Sequence, residues 1–115
     1  MNINEKIRLQ AMMNAEEIQT VIEETETGNT SISGLIVICE DLSRMILLCA
    51  DEIQNGDDQA GISAYQSHIN IIYSELSVLN ETIITLINSV TYIDESKIVG
   101  ILERLKRVLL ELAYI

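Results

Sequence analysis

The stretch DESKIVGILERLKRVLLEL, Asp94 to Leu112, decides the fold class. Ile98, Ile101, Leu105, Val108 and Leu112 follow one another at intervals of three, four, three and four residues. That is the a/d pattern of a helix packed along a seam. Val99, Leu102, Leu109 and Leu110 widen the apolar face beyond one seam. Gly100, in mid-helix, costs about 1 kcal/mol relative to Ala, and it is expected to mark a close approach by a neighbouring helix. Asp94 opens the helix, after Ile93. An apolar surface this wide must be covered by the rest of the chain or by a second one. A homodimer or a partner seated on Ile98, Ile101, Leu105, Val108 and Leu112 is therefore one expectation.

Three further helices are legible upstream. The third begins at Asp57 or Asp58 and continues to about Ser89. Ile62, Tyr65, Ile69, Ile72, Leu76, Leu79, Ile83, Leu86 (or Ile87) and Val90 keep helical spacing along it. Ser77, Asn80 and Thr82 compete for backbone hydrogen bonds, so a kink is expected near residues 77–82, or a break with Asn80 as a new cap. The second helix is capped by Ser31 or Ser33 and stops at Asn55-Gly56. Its apolar residues form continuous runs, Leu35 to Cys39 and Met45 to Ala50, rather than a stripe. A helix apolar all round belongs in the middle of a fold, so this segment is expected to be the most buried. The first helix spans about Asn4 to Glu26, with Ile3, Ile7, Ala11, Ile18 and Ile22 on one face and Asn14 the odd member. Gly28 is its C-cap. Glu23, Glu24 and Glu26 oppose the helix dipole at that end, which is expected to fray.

The chain has no proline, and no segment alternates long enough to read as a strand, though 32–39 is β-prone in composition. Short connections make consecutive helices antiparallel neighbours. The expected fold is all-α: a single domain over residues 1–115, an antiparallel four-helix bundle or a pair of helical hairpins. With no Phe and no Trp, its core must be aliphatic.

Several functions lack their residues. His68 is the only histidine, and no carboxylate lies one helical turn away to orient it. Cys39 and Cys49 lie ten residues apart in one predicted helix, about 15 Å, beyond disulfide reach, and read as small buried hydrophobes. The segment from Asp51 places Gly56 as a calcium loop would, but Ile53 and Ile62 stand where ligands are needed. No metal site, glycine-rich phosphate loop or cofactor is expected, and no enzyme. No run of about 18 apolar residues would span a membrane. Met1 to Arg8 lacks the apolar core of a signal peptide, so a cytoplasmic location is expected.

Charge supplies the functional signal. Between Leu9 and Ser96 a single base, Arg44, faces fifteen acids, while both flanks are weakly basic; the whole chain carries −11. Such a body attracts basic surfaces and repels bare nucleic acid. Glu16-Glu17 and Glu23-Glu24 are seven residues apart, and Glu40-Asp41 and Asp51-Glu52 eleven. Both intervals return to within about 20° of one helix face. Each helix therefore carries an acidic ridge with nodes about 10 Å and 16 Å apart. A plain solvated face would mix in lysines, because i,i+4 pairs of opposite sign stabilise helices and like charges do not. Arg104, Lys106 and Arg107 read as partners for neighbouring acids near a helix C-terminus.

In size and charge the chain is similar to small acidic helical inhibitors, such as bacteriocin immunity, anti-restriction and some anti-CRISPR proteins. That resemblance implies a non-enzymatic inhibitor occupying the basic nucleic-acid-binding surface of a partner protein. Its contact residues would be Glu16, Glu17, Glu23, Glu24, Glu40, Asp41, Asp51 and Glu52. The alternative is a secretion-type chaperone or assembly subunit that binds through the apolar face of the last helix. Sequence leaves open whether the two ridges share one side of the fold.

Overall fold

The computed structural model describes residues 3–55, 59–88 and 95–114, with side chains at 5–51, 66–88 and 95–114. Four helices follow in order: α1 (Ile3–Glu26), α2 (Ile32–Asn55), α3 (Gln59–Asn88) and α4 (Glu95–Ala113). They form a bundle 50 × 22 × 18 Å. Its long axis matches α3, which at about 1.5 Å per residue is roughly 45 Å long. Each helix packs against two others, α1 on α2 and α4, and α3 on α2 and α4, with α1 against α4 the most extensive pair.

Cross-helix contacts show α3 and α4 to be antiparallel. His68 of α3 meets Glu111 of α4, and Glu75 of α3 meets Arg104 of α4. Numbers rise along one helix as they fall along the other. The α1–α2 turn is closed at both ends. Asn29 N–H donates to Glu24 C=O at 2.9 Å and Gly28 N–H to Thr25 C=O at 3.0 Å, with Gly28 at φ +89°. This pair of bonds around a left-handed glycine is a Schellman cap. It satisfies the last carbonyls of α1, so the expected fraying of the Glu23–Glu26 end is not found: local hydrogen bonding outweighs the weak dipole penalty. At α2, Ser31 rather than Ser33 is the cap, accepting from Gly34 N–H on Oγ at 3.0 Å.

The expected disruption of α3 near 77–82 does not break the helix. Ser77 and Thr82 turn their hydroxyls back onto the carbonyls of Tyr73 and Val78, at 3.1 and 2.9 Å. The hydroxyls that compete with the backbone are thereby absorbed within it, and Asn80 lies exposed in mid-helix. The starts proposed at Asp57, Asp58 and Asp94 lie outside the described residues.

The core is aliphatic. Ile7, Ala11, Ala15, Ile18, Val21 and Ile22 come from α1, and Leu35, Ile38, Leu42, Met45 and Cys49 from α2. Ile72, Leu76 and Leu79 come from α3. The most completely enclosed face belongs to α4, not to α2 as its composition predicts. Ile98, Ile101, Leu102, Leu105, Val108, Leu109, Leu112 and Ala113 are all buried. Helix α2 keeps one inward stripe and leaves Ile36, Val37 and Leu47 exposed. The reason is geometric. A ring of four gives every helix one inward face and makes none of them central.

The supposed partner seam is therefore corrected. Ile98, Ile101, Leu105, Val108 and Leu112 are covered by the chain's own α1 and α3 and offer nothing to a second molecule. Asn14 is also inward. Its Oδ1 accepts from Gln10 Nε2 at 2.9 Å, while its Nδ2 is buried without a partner.

Gly100 does not mark a close helix approach. A Cβ built there would meet only Arg104 Nη1, at 3.6 Å, an ordinary contact with the end of a flexible side chain. Gly100→Ala should therefore stabilise the fold by about 1 kcal/mol, the helix-propensity difference, measured as an increase in the urea midpoint. Leu105→Ala should cost about 2–5 kcal/mol in the same assay, as a truncation in a closed core does. A cost below about 0.5 kcal/mol would mean that Leu105 lies on an outer surface.

Candidate functional site

The acidic residues separate according to the direction each faces. On α1, Glu16 is exposed and turns towards α4, where it lines a shallow groove of about 250 Å³ with Met12, Ala15, Gln19, Lys106 and Leu110. Its sequence neighbour Glu17 turns the other way, towards α2, and is partly buried. On α2 the pair is split likewise. Asp41 turns towards α1, where it hydrogen-bonds to Glu17. Glu40 lies exposed on the side of α3, in a second groove. Glu23, Glu24 and Asp51 are exposed; the Glu52 side chain lies outside the described residues.

The ridges of α1 and α2 thus meet at Glu17 and Asp41. Arg44 Nη1 lies 2.6 Å from Asp41 Oδ1, and its Nη2 lies 4.0 Å from Glu40 Oε2. The guanidinium thereby sets its positive charge beside both α2 carboxylates. Glu17 takes the proton and is pushed up to about 7, first by loss of solvent and then by the hydrogen bond and the negative charge of Asp41; Arg44 partly offsets this. One carboxyl of this face therefore titrates near neutral pH.

The bases outside this face are partly engaged with acids. Arg104 Nε binds Glu75 Oε1 at 2.8 Å, and Lys106 Nζ approaches Glu103 at 3.4 Å and Gln19 Oε1 at 2.7 Å. Acids and bases are nearly balanced in number over α3 and α4, and most of the excess acid of the helices falls on α1 and α2.

His68 has a carboxylate nearby after all. Glu111 Oε2 of α4 is 3.5 Å from its Nε2. The contact spans 43 residues, so no local spacing signals it. Cys39 and Cys49 are buried and not bonded to each other. Burial and the adjacent Glu40 push the Cys39 thiol up to about 11, which keeps it protonated and unreactive. Among the described residues no three His, Cys, Asp or Glu side chains gather as a metal site would require. No described helix is long and apolar enough to cross a membrane.

Sequence reasoning missed the apolar surface between α2 and α3. Ile36, Cys39, Glu40 and Ser43 face Asn80, Ile83 and Ile84 across a groove of about 320 Å³. Its signal was present in the apolar runs of α2, which exceed what one inward stripe can bury.

Comparison with known protein families, with curated proteins and with solved structures finds no match for this chain.

The titration of Glu17 makes a pH prediction. Its folded value, about 7, lies above the ordinary 4.5, so the folded state holds the extra proton between the two. The resulting stabilisation is complete below about pH 4.5 and lost as pH rises through 7. Thermal midpoints should fall between pH 5 and pH 8. Glu17→Gln, which copies the protonated form, should make that fall smaller and raise the midpoint at pH 8. An identical pH slope in the variant would show that Glu17 is not the titrating group.

Proposed function

We propose that this protein is a non-enzymatic binding module whose acidic α1–α2 face covers the basic, nucleic-acid-binding surface of a partner protein. The observation that carries this reading is the junction at Glu17 and Asp41, where two like-charged ridges from different helices meet. Juxtaposed carboxylates cost stability in the free protein. A cationic partner would relieve that cost by drawing off the Glu17 proton and pairing with both groups. Glu23, Glu24 and Asp51 are exposed on the same two helices, while Glu16 opens towards α4 and Glu40 towards α3. Repulsion from bare DNA or RNA and attraction to their binding proteins come from the same charge. The adaptor reading keeps no support at α4, whose apolar seam is internal.

The test is binding before and after charge reversal. Glu16→Lys, Glu23→Lys and Glu24→Lys together alter exposed positions only, so the helical signal and melting transition should persist. Immobilised wild-type protein should retain from its source lysate a basic protein that high salt or duplex DNA releases, and the variant should lose at least about tenfold of that retention. Equal retention by wild type and variant would refute the acidic face as the contact.

A further inference from the structure

We infer that the groove between α2 and α3 is a docking site for an amphipathic helix with an apolar stripe and basic edges. The groove's wells are apolar: Ile36 of α2 and Ile83 and Ile84 of α3 line it, with Ile36 39% and Ile84 57% exposed. One turn from Ile84, Ile87 is 59% exposed and extends the apolar strip. Ile84 and Ile87 stand three residues apart on α3, about 4.5 Å along its axis, close to the rise between i and i+3/i+4 anchors of a helix docked in a groove.

Charge selects the occupant. Glu40 stands in the groove wall. Its nearest cation, Arg44, is 4.0 Å away and makes its short contact with Asp41 instead. On α3, Glu81 is exposed three residues before Ile84. These acids want lysine or arginine on the edges of whatever fills the wells. A second copy of the chain would bring another −11 and a second Glu40 instead, and an anionic lipid surface would be repelled as strongly. The sign of the partner's charge rests on the acidic-module reading above, whereas the groove and its wells stand apart from it.

The test uses a fluorescein-labelled peptide of leucine and lysine, about 18 residues and roughly 27 Å long as a helix, with leucines at three-to-four spacing. Two comparators are a scrambled lysine–leucine peptide and a leucine–glutamate peptide with the same apolar stripe. Fluorescence anisotropy at physiological salt should show the amphipathic lysine peptide binding at least about tenfold tighter than the scrambled one. Ile84→Ser or Ile36→Ser should remove most of that advantage with the melting temperature little changed, and Glu40→Gln should weaken binding several-fold. Equal binding of amphipathic and scrambled peptides, or no effect of Ile84→Ser, would overturn the groove. If the loss then followed only a Glu16→Gln, Glu23→Gln, Glu24→Gln variant, the acidic-face reading would survive alone. Tighter binding of the glutamate peptide would overturn the basic partner, and the acidic reading with it. A dimer in sedimentation that Ile84→Ser dissociates would overturn the proposal in favour of self-pairing.

Discussion

Leu102, Leu105 and Leu109 of α4 have lost all contact with water, and the rest of the molecule is arranged so that they can. Their helix carries apolar residues across a face too wide for a single neighbour. Two neighbours, α1 and α3, are needed to enclose it. Once α4 is held between those two, α2 must close the ring from the opposite side. A bundle closed this way has one inward face per helix, about a third of each circumference. Every residue outside that face must live with solvent or with another molecule.

That constraint explains the contrast between α2 and α4. Both are rich in aliphatic residues. In α4 the apolar residues fall largely within the inward face, and bases and acids occupy the remainder. In α2 they exceed it, so Ile36, Val37 and Leu47 come out on the surface. The outcome follows from arc width, not from total hydropathy. The same geometry splits each adjacent acid pair. Successive residues on a helix stand about 100° apart, so Glu16 and Glu17 straddle the crest of α1 and lean into different grooves, as Glu40 and Asp41 do on α2. Glu17 and Asp41 are thereby pressed together, and a surface of ordinary carboxylates acquires one that titrates near neutrality.

Charge and apolar surface, read from the sequence as rival clues to function, turn out to be neighbours. Glu40 belongs to the acidic ridge of α2 and also to the wall of the α2–α3 groove. One cationic, partly apolar partner could therefore satisfy both. Two bases of α4, Arg104 and Lys106, are paired with Glu75 and Glu103. Of the ridge acids, Glu40 is the one that stands beside Ile36 in that groove.

By itself the sequence determined the four helices, the cap at Gly28, the aliphatic character of the core and the spacing of the acid pairs, and it left the cap of α2 open between Ser31 and Ser33. These depend on interactions within a turn or two, and local spacing carries them. Only the tertiary structure decided which apolar residues are core. Leu105 and Ile87 both stand at helical spacing, yet one is enclosed and the other is exposed, because enclosure depends on neighbours distant in sequence. The meeting of Glu17 with Asp41, of His68 with Glu111 and of Glu75 with Arg104 belongs to the same class. So does the lack of a close neighbour at Gly100, which no local pattern foretells. A helix's periodicity names its faces; what each face meets is set by the packing of the other three.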